Sequence, residues 1–244
     1  MMELAGKTAL VTGGAVRVGR AISLALAGEG MRVVVHYNSS SRAADELCAE
    51  IRGGGGEAVA IGGDLARLDE LRRVAGEAER AFGGLDVLVN NASVFPPERL
   101  EETDEALWEH TLAVNLRAPF FLIKHLAATL RARRGVVVNL CDLAGLQAWA
   151  AYAAHGISKA ALAHLTRVAA RSLAPEVRVV GIAPGAVLPP ESMTDDELDT
   201  LARSTPLKRL GSPDDVVGAL LYLLRADFVT GEVMVVDGGR MLRG

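Results

Sequence analysis

The stretch at residues 9–19, Ala-Leu-Val-Thr-Gly-Gly-Ala-Val-Arg-Val-Gly, is the first in the chain whose residue types and spacing could do chemistry. Leu10 and Val11 end an apolar run. Thr12 to Val16 make a tight turn, and Val18, Ile22 and Leu26 then recur at four-residue spacing, one face of a helix. A glycine-rich turn between a strand and a helix start is a place to put an anion. Glycine lets the backbone come close to a phosphate, and the free N–H groups and dipole of the helix N-terminus favour negative charge there. The spacing is Thr-Gly-x-x-x-Arg-x-Gly rather than the Gly-x-Gly-x-x-Gly of the dinucleotide fingerprint. Arg17 stands where a second glycine is expected and aims a cation at the same pocket.

The second stretch is His36-Tyr37-Asn38-Ser39-Ser40-Ser41-Arg42, which has no carboxylate until Asp45. At the end of a second strand, an acidic side chain accepts hydrogen bonds from the ribose 2′-hydroxyl of NAD and repels a 2′-phosphate. Hydroxyls, an amide, Arg42 and Arg17 suit a phosphate instead. The expected cofactor is therefore NADP(H), held by Gly13, Arg17 and Val18 at the turn and by Tyr37, Asn38, Ser39 and Ser40 at the ribose.

These residues need elements to position them. Apolar runs at 32–37, 57–61, 85–89, 136–141, 177–182 and 233–236 are continuous rather than alternating, as in strands buried on both faces. Helix-length stretches lie between them at 41–52, 68–82, 104–133, 150–173 and 213–224. Strand–helix alternation predicts an α/β fold, a doubly wound parallel sheet with right-handed crossovers and helices on both faces. No linker splits residues 1–244, so one domain is expected. Residues 184–212 depart from the alternation: Pro184, Pro189 and Pro190 open them, a short polar helix is predicted at 194–203, and Pro206 follows. An irregular insertion at the carboxyl end of a strand is commonly a substrate loop.

Bulk properties exclude several classes. The chain has 244 residues, a net charge of −4 and no basic block, which argues against nucleic acid as the main partner. The chain does not open on a basic stretch followed by a long apolar run, and no run reaches about 18 apolar residues, so neither a signal peptide nor a membrane span is expected. Cys48 and Cys141 lack Cys-x-x-Cys spacing and read as reduced thiols of a cytoplasmic protein. The five histidines show no metal-ligand spacing, and no metal is expected.

Thr12-Gly13 with Gly19, Asp64-Leu65, Asn90-Asn91-Ala92, Asn115, Ser158-Lys159 and Pro184-Gly185 together resemble the short-chain dehydrogenase/reductase family over nearly the whole chain. The resemblance implies a Rossmann-like sheet of about seven strands and nicotinamide-dependent hydride transfer. It implies that Asp64 and Leu65 lie at the adenine, that Asn91, Ala92, Pro184 and Gly185 border the cofactor, and that a homotetramer forms through the helices at 104–133 and 150–173. Arg17, His36-Tyr37, the run Asn91-Ala92-Ser93-Val94-Phe95 and the tail at 229–240 are similar, more narrowly, to pteridine reductases and dihydromonapterin reductase. That likeness implies that Arg17 and Ser93 lie beside the ligand and that Phe95 stacks on a flat pterin ring.

Hydride transfer to C=O or C=N leaves negative charge on oxygen or nitrogen, so a proton must arrive. The family supplies it from the tyrosine of Tyr-x-x-x-Lys, whose lysine holds the nicotinamide ribose. Here Lys159 is in place, but His155 stands four residues before it. Asp142 occupies the family's serine position, as in pteridine reductases, and Asn115 its asparagine position, where the amide would hold a water relay behind Lys159. Three explanations compete. An Asp142–His155 pair is the proton source, the carboxylate favouring imidazolium. Alternatively Tyr152 substitutes, since 152, 155 and 159 lie on one face of the helix at 150–173, at i, i+3 and i+7. Or the chain binds NADP(H) and a ligand without turnover, as a sensor or regulatory protein. The main expectation is an NADPH-dependent reductase of a pterin-like or other flat carbonyl or imine substrate. A general ketoreductase of the 3-oxoacyl or sugar type is the alternative within enzymes.

Overall fold

The computed structural model describes residues 2–189 and 193–242; Pro190 of the predicted loop lies outside them. Seven strands form one sheet in the order β3-β2-β1-β4-β5-β6-β7, every neighbouring pair parallel. They are β1 (Thr8–Val11), β2 (Arg32–Tyr37), β3 (Glu57–Gly62), β4 (Val87–Asn90), β5 (Val136–Leu140), β6 (Arg178–Pro184) and β7 (Val233–Val236). The helices are α1 (Arg17–Gly28), α2 (Ser41–Gly53), α3 (Leu68–Ala81), α4 (Glu105–Leu112), α5 (Ala118–Arg133), α6 (Ala153–Leu173), α7 (Asp195–Arg203) and α8 (Pro213–Arg225). No helix among the described residues is long and apolar enough to cross a membrane.

The continuous apolar runs are explained by a core on each face of the sheet. Successive strand residues point to opposite faces. Leu10, Val34, Leu88 and Val137 face one core, with Leu71, Leu122, Leu126 and Leu162 from α3, α5 and α6. Val33, Val35, Val87, Val89, Val136 and Val138 face the other, with Ile22, Leu47 and Leu220 from α1, α2 and α8. Truncating any of these buried leucines to alanine costs about 2–5 kcal/mol. The strand order reverses at β1, which lies between β2 and β4. A crevice at the carboxyl ends of such strands is where ligands bind in open parallel sheets.

Three expectations are corrected. The stretch at 104–133 is not one regular helix: α4 and α5 are joined by a π-helical turn at Ala113–Arg117 that contains Asn115. Helix α6 begins at Ala153 rather than 150, and Tyr152 is its N-cap at φ −147° and ψ 52°, so Tyr152 does not share a helix face with His155 and Lys159. The physical reason is that residues 151–154 are captured by a neighbouring segment. Glu98 N–H donates to Ala151 O (3.0 Å), Glu98 O accepts from Ala153 N–H (3.3 Å), and the buried Glu98 carboxylate accepts from Ala154 N–H (3.2 Å). Tyr152 makes no side-chain cap hydrogen bond, so Glu98 caps α6 from outside, with its charge at the favourable end of the dipole.

Candidate active site

The turn after β1 is stitched to the end of β4. Thr12 Oγ1 accepts from Asn91 N–H (2.9 Å) and Ala92 N–H (3.0 Å), while Asn91 Nδ2 donates to Thr12 O (2.9 Å) and Gly13 O (3.0 Å). A Cβ on Gly19 would sit 2.1 Å from Gly13 O, so only glycine permits this approach. Arg17 takes φ +52°, the left-handed region that glycine adopts freely, which is why glycine is expected there. Holding an arginine in it costs about 1 kcal/mol, a strain typical of functional turns.

His36 locks the turn from beneath. Gly13 N–H donates to His36 Nδ1 (3.2 Å), which fixes the hydrogen on Nε2, and Nε2–H donates to Gly63 O (2.9 Å). Burial lowers the His36 pKa from 6.5 to about 4; the Arg73 charge also lowers it, while the Gly63 carbonyl and Asp64 oppose. The imidazole is therefore neutral at physiological pH. Its inward role was not legible from residues 36–42 read as a phosphate site.

Across the cleft, His155 projects from the first turn of α6. Its Nδ1 lies 3.0 Å from Val94 O and is the atom that donates, leaving Nε2 buried without a hydrogen-bond partner and 3.6 Å from Asp142 Oδ2. Asp142 is also fixed, its Oδ1 accepting from Ala144 N–H (2.7 Å). Its side chain is 27% exposed against 2% for His155, so the pair spans from interior to solvent. Lys159, one turn on, donates to Leu140 O (2.7 Å), and burial pushes its pKa down, opposed by Cys141 and Asp142.

Asn115, expected to hold a water relay behind Lys159, has its amide hydrogen-bonded to Ser93, Val94 and Ser158. Its Oδ1 accepts from Val94 N–H (2.9 Å) and Ser93 Oγ–H (3.1 Å), and its Nδ2 donates to Val94 O (3.0 Å) and Ser158 Oγ (3.1 Å). The π turn rotates this amide toward the loop after β4, and the amide holds the carbonyl on which His155 rests.

An aromatic wall continues from the imidazole. Phe95 meets His155 edge-on (centroids 4.4 Å) and stacks on Tyr152 (4.2 Å, 12°), and Tyr152 neighbours Trp149 (6.2 Å). The glycine turn, this wall and residues 184–189 enclose a cleft of about 780 Å³. Of the predicted residues, Gly13, Arg17, Val18, Asn91, Ala92, Ser93, Phe95, Asp142, Tyr152, His155, Lys159, Pro184 and Gly185 line it. Tyr37, Asn38, Ser39, Ser40, Asp64 and Leu65 are not part of its lining; they lie at the carboxyl ends of β2, which neighbours β1, and of β3, which neighbours β2. Arg42 is turned to Glu46 (2.7 Å) on the surface of α2. Lining residues that sequence reasoning did not single out include Leu188, Met193 and Leu201, while Arg240 entered it only as the end of the tail at 229–240.

The turn fits a dinucleotide diphosphate. It has no Cβ in the way at Gly13 and Gly19, its first helical N–H groups are those that no intrahelical carbonyl can accept from, and a guanidinium adjoins it. A family model described as enoyl-(acyl carrier protein) reductase matches residues 14–240. The chain belongs to the short-chain dehydrogenase/reductase family. As a member it is an NAD(P)-dependent oxidoreductase. The 3-oxoacyl-(acyl-carrier-protein) reductase FabG of Staphylococcus epidermidis is 34% identical over 239 residues, covering 96% of this chain and 98% of that protein. The structure of FolM alternative dihydrofolate reductase 1 from Brucella canis, complexed with NADP, matches at a TM-score of 0.94 and 32% identity, covering 99% of this chain and 96% of that one. A 7α-hydroxysteroid dehydrogenase complexed with NADH and 7-oxo glycochenodeoxycholic acid matches at 0.92 and 32%, covering 97% and 95%. The short-chain reductase fold of these relatives is the fold described here.

Proposed function

We propose that the protein is an NADPH-dependent reductase of a pterin-like or similarly flat carbonyl or imine substrate, with Asp142 and His155 as its proton source. The observation that carries this reading is the orphaned Nε2 of His155. Val94 O anchors the other ring nitrogen, so the one atom free to hold a transferable proton faces a carboxylate on the cleft wall. A bound reduced nicotinamide supplies the hydride. The pair holds a proton between Nε2 and Oδ2 and gives it to the nitrogen or oxygen that becomes negative. Asp142, part exposed, takes the next proton from solvent. Lys159 has two N–H bonds beyond the one given to Leu140 O, and these serve the nicotinamide ribose. Asn115 positions His155 through Val94.

Gly13, Arg17, Val18, Asn91, Ala92, Ser93, Pro184 and Gly185 border the cofactor. Tyr37, Asn38, Ser39 and Ser40 receive the 2′-phosphate, and Asp64 and Leu65 the adenine. Arg17, Ser93, Phe95 and Tyr152 border the substrate, whose flat ring suits the part of Phe95 that its stacking on Tyr152 leaves exposed. Residues 184–212 form the substrate loop of the single domain, contributing Leu188 and Leu201. The FolM structure with NADP supports the cofactor choice and a pterin-related substrate. Exposed Phe120 and Val168 support assembly of a homotetramer through α5 and α6.

The test is oxidation of NADPH with 7,8-dihydrobiopterin. Turnover is expected, abolished in His155→Ala and altered mainly in KM in Tyr152→Phe; wild-type activity in His155→Ala refutes the imidazole as acid, and tighter binding of NADH than NADPH refutes the cofactor. The similarity to 3-oxoacyl reductases favours a second reading, a general ketoreductase, which turnover of acetoacetyl thioesters but not pterins would support. Stoichiometric NADPH binding with no turnover of either would indicate a sensor.

A further inference from the structure

The cleft is electropositive in a chain of net charge −4. Among its described lining residues Asp142 is the one carboxylate, against Arg17, Lys159 and Arg240. Asp142 is engaged with His155, Lys159 is hydrogen-bonded at the base of the cleft, and Arg17 sits on the glycine turn with its guanidinium on Leu188 O. Under the reading above, the last two are accounted for by the dinucleotide. Arg240 is on the aromatic side and has no such account.

Its position is built rather than incidental. The Arg240 guanidinium lies over the Trp149 ring, 5.2 Å from the centroid. Trp149 Nε1–H donates to Gln147 Oε1 (3.2 Å), and Gln147 Nε2 donates to Met241 O (3.3 Å), so the ring and the backbone carrying the arginine are tied through one amide. From the other side Asp237 fixes the same turn, its carboxylate accepting from Gly239 N–H (2.8 Å) and Met241 N–H (2.6 Å). Gly238 and Gly239 have φ +63° and +84°, which lets the chain bend back toward the cleft. Both Asp237 oxygens are spent on backbone, and neither Arg240 nor Arg17 has a carboxylate partner within 4.0 Å among the described residues. A guanidinium held on an aromatic face keeps its N–H edges free for an anion.

We infer that Arg240 is a specificity-determining residue that binds an anionic substituent of the substrate at the Trp149 end of the cleft. The reacting ring lies against Phe95 and Tyr152 near His155, and the charged tail extends along the wall to the guanidinium. This deepens the reductase reading and rests on it for the placement of the ring. The anion is a carboxylate on the tail of a flat heterocycle or a phosphate on the arm of a thioester; a guanidinium takes either in the same forked geometry.

The experiment measures equilibrium binding to the protein loaded with oxidised NADP⁺, which cannot reduce the ligands, by quenching of tryptophan fluorescence, for two matched pairs. One pair is 7,8-dihydrofolate and 7,8-dihydrobiopterin, the other acetoacetyl-CoA and acetoacetyl-N-acetylcysteamine. Losing a charge-assisted hydrogen bond is worth about tenfold to a hundredfold in Kd. Arg240→Gln is expected to raise the ratio of charged-to-neutral Kd by about tenfold in one pair, and Arg240→Lys by less, because the fork is lost but the charge remains. An effect confined to the pterin pair assigns the tail carboxylate, and one confined to the thioester pair the phosphate. An unchanged ratio in both pairs, with folded variants by circular dichroism, overturns the inference. Because binding is read without turnover, an inactive but ligand-binding protein sinks the reductase reading alone.

Discussion

Acidification should destabilise this protein through one histidine, and the size of the effect follows from where that histidine sits. His36 is 2% exposed and is held neutral between Gly13 N–H and Gly63 O, with its pKa lowered from 6.5 to about 4. Above pH 6.5 folded and unfolded chains both carry neutral imidazole, and the stabilisation is fully present. Between 6.5 and about 4 the unfolded chain binds a proton that the folded one refuses, so stability falls with pH, by at most about 1.4 kcal/mol per pH unit. Over the whole window the loss is about 3 kcal/mol. Groups whose pKa is lowered in the opposite chemistry act elsewhere: Asp215, hydrogen-bonded by Arg209, and Glu197, hydrogen-bonded at Thr194, lose their contributions only as pH falls below the ordinary carboxylate range. His36→Asn isolates the effect. Its side-chain oxygen can accept from Gly13 N–H in place of Nδ1, it cannot reach Gly63 O, and it does not titrate. At pH 7.5 the variant should be less stable by about 1–3 kcal/mol, the cost of a buried unsatisfied carbonyl. Urea unfolding at pH 7.5, 6.5, 5.5 and 4.5 should show the gap between the two proteins closing by about 2–3 kcal/mol. A gap that stays constant across that range refutes the neutral, buried assignment of His36.

Arg17→Gly removes about 1 kcal/mol of left-handed strain but adds a comparable amount of unfolded-chain entropy. Its melting temperature should therefore stay near wild type while the Kd for NADPH rises about tenfold; a large change in melting with unchanged Kd would contradict the assigned role. Gly19→Ala forces Gly13 O away from a contact of 2.1 Å, and should lower the melting temperature and abolish NADPH binding in the same protein. Both thiols should resist modification: burial pushes Cys141 up to about 11 and raises Cys48 as well, so a disulfide-exchange reagent at pH 8 should titrate neither in the folded protein and both in guanidinium. Rapid reaction of Cys141 in the folded state would refute its burial just after β5.

The sheet was legible because strands buried on both faces write continuous apolar runs, and β2 and β7 fall at the residues expected. The glycine turn was legible for a similar reason, since Gly19 admits no substitute. Asp142, His155 and Lys159 were expected together through family spacing, and the structure brings them to one wall of the cleft. What escaped were features set by partners distant in sequence. Nothing in residues 150–173 reveals that Glu98 captures Ala153 and Ala154, and so Tyr152 was assigned to a helix it only caps. Nothing in residues 104–133 marks a π turn, because the apolar pattern continues through it and only hydrogen bonding from Val94 and Ser93 reveals the change of phase. His36 lies beyond pattern reading too, since a buried histidine and an exposed one look alike in sequence.

The wide turn at Ala113–Arg117 has a mechanical consequence. An added residue advances everything after it by about 100° around the helix axis. Upstream of that step α4 leans on α6, and downstream the stripe Leu122, Leu126 and Leu130 sinks into the core against α3. Loss of a single residue there would swing Asn115 off the Val94 carbonyl and turn the leucine stripe toward water in the same stroke. The chemistry of the pocket and the solidity of the interior are geared to one another through a count of residues, and neither can be re-indexed without the other.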